Sequence, residues 1–244
     1  MNNMLAIIPA RLKSERFPNK LFAEIDGEKI IDKVINNVLS AQIADHLIVA
    51  TDSQEVATHC KNRNIEYFYM WEQVGCGSER SYHVWKKYPN YDWYVSFPSD
   101  EPMLDHQEIN KMWFKHLEKQ YGPEDFITTC YTKFYDKNRI ELNRSCKIVS
   151  HDDNVLYFSR SPIPYSKNGL LPIEEYKQHI GIFIFHPCLF KRMDFNNINY
   201  FVSDLAKKEG LEQISFLEHG LSIKLIEMVH KSHGVDIPQD LEDL

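Results

Sequence analysis

The sequence predicts an α/β protein organised on a doubly wound, mostly parallel sheet, with a smaller β-rich elaboration late in the chain. Three observations carry this. Apolar runs at 5–8, 46–52 and 65–70 alternate with segments of helical period, the βαβ rhythm of an open sheet covered on both faces. The first run is continuous rather than alternating, as in a strand buried on both sides. Residues 146–149 and 154–160 then read as a hairpin about 151–154, which departs from that rhythm.

The first strand ends at Pro9, and residues 10–20 hold four cations, Arg11, Lys13, Arg16 and Lys20. A cationic loop at the carboxyl edge of a sheet suits a polyphosphate, with arginine as a planar fork and lysine as a mobile point charge. Charge alone fits an exposed basic loop equally well. GxxxxGK[ST] is absent, which argues against a P-loop ATPase. After an Asp26-Gly27 turn, Ile31, Val34, Ile35, Val38 and Leu39 make one apolar stripe, a helix whose stripe is core. The run HLIVATD is a second buried strand, followed by a helix over 54–62 and a third strand over 65–70.

Gly75-Cys76-Gly77-Ser78-Glu79-Arg80 precedes a helical run at 81–87. Two glycines let the backbone approach a ligand, and helix-opening amides favour anions; a flexible capping loop fits the same residues. A strand over 93–97 runs into Pro98-Ser99-Asp100-Glu101-Pro102. A carboxylate there suits Mg²⁺, which takes one or two protein carboxylates plus phosphate oxygens. The alternative is a capping Asp before the helix near Asp105. A helix over 107–119 and a strand over 126–131 follow, then polar connective chain to 143, the hairpin, and a mobile surface loop over 162–176. Arg160 ends the hairpin as a candidate for a carboxylate or phosphate. In the strand over 179–185, His179, Gly181 and Phe183 share one face by alternation, although a lone strand histidine is commonly structural. Helical stretches at 203–210 and 211–218 contain Glu212 and Gln213, and a late strand spans 223–229. In Gly234-Val235-Asp236-Ile237-Pro238, Asp236 reads as a helix cap before Pro238.

The chain's 244 residues, 43% hydrophobic, suffice for one sizeable domain over 1–244. A net charge of −7 argues against non-specific nucleic-acid binding. No apolar run approaches eighteen residues, so no membrane span is expected, and Met1-Asn2-Asn3-Met4 carries no secretory signal. The five cysteines are scattered without a CxxC pair, which points to reduced thiols in the cytoplasm rather than to zinc or disulfides.

Pro9, Ala10, Arg11, Ser14, Arg16, Pro18 and Lys20 resemble the PARxxSxRxPxK signature of sugar cytidylyltransferases, above all the 3-deoxy-manno-octulosonate (KDO) cytidylyltransferase family. The likeness continues in order along nearly the whole chain. Gly77, Ser78, Glu79 and Arg80 resemble the SGTER segment, Asp100-Glu101-Pro102 the QGDEP segment, and Ser159-Arg160 with Ile163-Pro164 the YFSRxxIP segment. His179, Gly181 and Phe183 resemble HxGxYxY, Leu211-Glu212-Gln213 the LEQ motif, and residues 234–241 the GVDTPEDL segment. The resemblance implies a nucleotide-diphospho-sugar transferase-like, Rossmann-type fold whose β-rich part binds sugar and dimerises. It implies CMP transfer from CTP to an acidic 2-keto sugar, with release of pyrophosphate. It further implies that Arg11, Lys20 and Asp100 are catalytic, and that Pro9, Ala10, Ser14, Arg16, Gly77, Ser78 and Arg80 help bind nucleotide. Arg160, His179, Glu212 and Gln213 would meet the sugar, Asp100 and Asp236 would hold Mg²⁺, and the assembly would be a homodimer. Three positions depart from the pattern. Cys76 replaces serine, Pro98-Ser99 replaces Gln-Gly, and Phe183 replaces tyrosine. The last two leave open a different acidic sugar, an amino derivative of KDO or a nonulosonic acid. A non-catalytic nucleotide or sugar sensor is the more distant alternative.

Overall fold

The computed structural model describes residues 3–12, 14, 16–71, 74–169, 171–229 and 234–242. In chain order the elements are β1 (Met4–Ala10), the ribbon β2 (Glu24–Ile25) and β3 (Glu28–Lys29), α1 (Ile30–Ala41), β4 (His46–Thr51) and α2 (Gln54–Asn62). Next come β5 (Tyr67–Tyr69), α3 (Gly77–Lys87), β6 (Trp93–Ser96), α4 (His106–Glu118), β7 (Ile127–Lys133), β8 (Lys147–His151) and β9 (Asn154–Ser159). The chain continues through β10 (Lys177–Phe185), α5 (Pro187–Asn196), α6 (Asp204–Glu209), α7 (Gln213–Glu218) and β11 (Ile223–Glu227).

One nine-stranded sheet runs β5-β4-β1-β6-β10-β7-β11-β9-β8. Its first four strands are parallel, with Ile7 opposite Ile48 on one side and Ser96 on the other. Alternation on β1 sends Met4, Ala6, Ile8 and Ala10 to one core and Leu5 and Ile7 to a second, as period-two geometry requires. Helices α1, α2 and α4 cover the first core, whereas α3, α5 and α7 cover the other. The sheet is therefore wound on both faces, as predicted.

Beyond β6 the sheet changes character. β10 lies antiparallel to both β6 and β7, so the parallel half meets a mixed half that holds the β8–β9 hairpin. Strand direction leaves no trace in hydrophobic period, which is why the sequence reading extended the parallel pattern too far. Helix α5 was also missed. His186 Nδ1 accepts the Cys188 amide at 3.3 Å and Pro187 opens the first turn. Leu189, Phe190 and Met193 enter the core. Phe195, at the far end of the same helix, stays 90% exposed.

A buried and a half-buried histidine give the fold an acid sensitivity. His116 packs edge-on to Trp93 and stacked with Trp113, and desolvation pushes its pKa down to about 3. Burial does the same to His179, to about 3. Both remain neutral in the fold while the unfolded chain takes up protons below about 6.5. The unfolded state then binds more protons, so stability falls with falling pH, by ~1.4 kcal/mol per pH unit for each histidine. Urea denaturation at pH 6 and pH 5 checks this. His116→Phe should lose about 1.4 kcal/mol less than the native chain across that interval.

Candidate active site

β1 lies between β4 and β6, where the order of the parallel half switches direction, and ligands of open α/β sheets bind beyond the carboxyl ends at such a point. The cleft there has two lobes, about 1140 Å³ and about 620 Å³, and Arg11, Ser14 and Arg16 line both. The cationic loop is therefore the partition of a single cleft. Lys13 lies outside the described residues.

At the foot of the smaller lobe, four charged side chains meet. The Lys20 Nζ donates to Asp100 Oδ2 at 2.5 Å and to the Val235 carbonyl at 2.8 Å, and stands 3.7 Å from Asp236 Oδ1. Arg16 pairs with the same Asp236 oxygen at 3.1 Å. The Val235 amide donates to the Asp100 carbonyl at 2.8 Å, so the two aspartate segments are stitched through their backbones. Gly234 makes this approach possible, since a Cβ there would sit 3.0 Å from Glu101 Oε1 and 3.4 Å from the Asp100 carbonyl.

Neither aspartate is a helix cap. Asp105 caps α4, accepting the Gln107 amide at 2.7 Å. For the final turn, the Asp240 Oδ2 takes the amides of Asp236 and Ile237 at 2.7 and 3.0 Å. Asp100 and Asp236 keep their carboxylates for the cleft.

These two carboxylates fit Mg²⁺. They are hard oxygen donors, and the Lys20 ammonium between them marks where positive charge is wanted. Among the described residues no group of three or more His, Cys, Asp or Glu forms a closed metal cage. Mg²⁺ suits such an open pair because it keeps waters and takes phosphate oxygens as further ligands.

The first turn of α3 forms the opposite wall. Helix α3 begins at Gly77, four residues earlier than the apolar pattern suggested, so Gly77 and Ser78 present helix-opening amides rather than a free loop. Glu212 accepts the Ser78 hydroxyl at 2.8 Å and its amide at 3.2 Å. That carboxylate, with burial, pushes the Cys76 thiol pKa upward. Arg80 is buried and pairs with Asp52 at 2.9 Å.

Of the candidate nucleotide residues, Pro9, Arg11, Ser14, Arg16, Lys20, Gly77 and Arg80 line the cleft. Ala10 and Ser78 are buried and lie outside the lining of the cleft. Asp52 is the last residue of the HLIVATD run. It lines the larger lobe and orients Arg80.

The sugar candidates divide. Glu212 and Gln213 line the smaller lobe with Gly181 and Phe183. Gly181, at φ +82°, sits where a Cβ would touch Pro98 at 3.7 Å. His179 shares their face, since Ile180, Ile182 and Ile184 point into the other core, but it does not line the cleft. Its Nε2 instead meets Thr129 Oγ1 at 2.7 Å, and the ring packs on Phe158 and Phe183. His179 packs against Phe183, a lining residue of the smaller lobe, without lining the cleft itself. Arg160 borders the larger lobe, but its guanidinium donates to the carbonyls of Asn143, Glu209 and Gly210 at 2.9 Å each. It braces the loops around the cleft, a role hidden from sequence because the acceptors are backbone atoms.

A family model described as cytidylyltransferase matches residues 5–226. The chain belongs to the cytidylyltransferase family. Within it, the chain is 32% identical over 99% of its length to a 3-deoxy-manno-octulosonate cytidylyltransferase of Christiangramia forsetii, covering 95% of that protein. It is 31% identical over its full length to the mitochondrial 3-deoxy-manno-octulosonate cytidylyltransferase of Arabidopsis thaliana, covering 82% of it. Among solved structures it resembles a CMP:2-keto-3-deoxy-manno-octonic acid synthetase complexed with CTP, at a TM-score of 0.83 and 25% identity, covering 99% of this chain and 96% of the other.

Proposed function

We propose that the chain transfers CMP from CTP to 3-deoxy-manno-octulosonate and releases pyrophosphate. The observation that carries this is the convergence of Asp100, Asp236 and Lys20 beneath the cationic loop, in a chain alike from end to end to proteins named for that reaction. Arg11, Arg16 and Lys20 bind the triphosphate, and Glu212 and Gln213 orient the sugar. The sugar's anomeric oxygen attacks the α-phosphorus, the bond to the bridging oxygen breaks, and pyrophosphate leaves with the electron pair. The hydroxyl proton passes to solvent, since no side chain of the cleft stands out as its base. Positioning and charge stabilisation carry such chemistry. Asp100 and Asp236 would hold Mg²⁺, which when bound would supply charge for the phosphate oxygens and lower the pKa of the attacking hydroxyl.

Pyrophosphate release from CTP and KDO tests this reading. Release should require both substrates and Mg²⁺ and stop with excess EDTA. CTP binding without release, for every sugar acid tried, would replace the enzyme by a binding protein. A second acceptor is favoured by one observation. Pro98 and Phe183 both line the smaller lobe, and neither offers the polar atom that the family pattern puts there. Faster release with an amino derivative of KDO or a nonulosonic acid at fixed CTP would move the acceptor to that sugar.

No described helix is long and apolar enough to cross a membrane. All five thiols are unpaired, which supports placing the reaction in the reducing cytoplasm. A homodimer belongs to the same reading, and sedimentation at micromolar concentration measures it.

A further inference from the structure

We propose that Asp240, held in place by Arg144, is a positioning residue that aims Asp236 at the cation site. This inference rests on the reading of Asp236 as a metal ligand.

Asp240 is fully buried. One carboxylate oxygen takes the amides of Asp236 and Ile237, and the other lies 2.9 Å from the Arg144 guanidinium. The Val235 amide is already committed to the Asp100 carbonyl and the Val235 carbonyl to Lys20. Three successive amides and one carbonyl around Asp236 are therefore fixed, so its backbone has little freedom and its side chain is left for the cleft. A buried carboxylate is costly unless paired and hydrogen-bonded, and two amides plus a guanidinium meet that need.

The chain that supplies Arg144 is itself clamped. Buried Lys147 donates to the carbonyls of Leu142 at 2.7 Å and Ser145 at 2.8 Å. Arg160 holds the neighbouring Asn143 carbonyl. The order of support runs from the hairpin base through Arg144 and Asp240 to Asp236. Partners that orient a metal ligand typically change metal affinity by about 10–100-fold when removed.

The test uses the full chain and Mn²⁺ as the probe, titrated with CTP present and sugar absent, so no turnover intervenes. Asp240→Ala should weaken Mn²⁺ binding by about 10–100-fold, while CTP binding in EDTA stays within about twofold of the native value. Asp240→Asn keeps an acceptor for the amides and should recover part of the loss. Because Asp240→Ala strands the Arg144 charge, the double variant Arg144→Leu/Asp240→Ala is measured beside it. Removing both charges should restore thermal stability but leave Mn²⁺ binding weak. A folded variant of either kind that binds Mn²⁺ as the native chain does would overturn the inference. Failure of the native chain to bind Mn²⁺ with CTP would overturn the metal reading itself, a different result.

Discussion

Asp100→Asn should fold normally and lose Mg²⁺-dependent pyrophosphate release by roughly 10²–10³-fold. The substitution preserves shape and leaves the Asp100 carbonyl to accept the Val235 amide, so the backbone stitch survives. What disappears is one of the two charges facing Lys20. The carboxylate is also partly open to solvent, with 34% of the side chain exposed, so little packing depends on it. Turnover and thermal midpoint measured on the same preparation separate the two effects. Full turnover in the variant would remove Asp100 from the reaction.

Lys20→Met should be comparably damaging, by roughly 10²–10³-fold in turnover, for a different reason. Its side chain is only 12% exposed and its ammonium stands between two carboxylates. Methionine keeps the reach and discards the charge, so Asp100 loses its cation and Asp236 keeps only Arg16. The KM for CTP should rise, since a triphosphate contact is lost as well. The thermal midpoint without metal should fall, and Mg²⁺ should raise it more than in the native chain, because the added cation replaces the missing ammonium. An unchanged Mg²⁺ response would show that the two carboxylates do not share a cation.

Much of this could be read from residues alone. The α1 stripe of Ile31, Val34, Ile35 and Val38 set its helix at the observed bounds, Ile30–Ala41. The pairing of a cationic loop with two distant aspartates appeared as motifs before it appeared as distances. What stayed illegible has physical causes. The antiparallel placement of β10 follows from where the chain returns, not from which residues it contains. Two glycines at 75 and 77 argued for a loop, yet Gly77 is the first residue of α3. Arg160 and Lys147 are charged residues satisfied by carbonyls, and carbonyls belong to every sequence. His179 shows the converse case, where a motif position packs on Thr129, Phe158 and Phe183 instead of lining the cleft.

The stitch between Val235 and the Asp100 carbonyl joins stretches separated by more than half the chain. A nascent polypeptide lacking the segment from Gly234 onward would already contain every strand of the sheet, yet only one carboxylate of the pair. Competence to spend CTP thus arrives only after the scaffold is made. Partial translation products carrying most of the fold should be catalytically silent rather than feebly active.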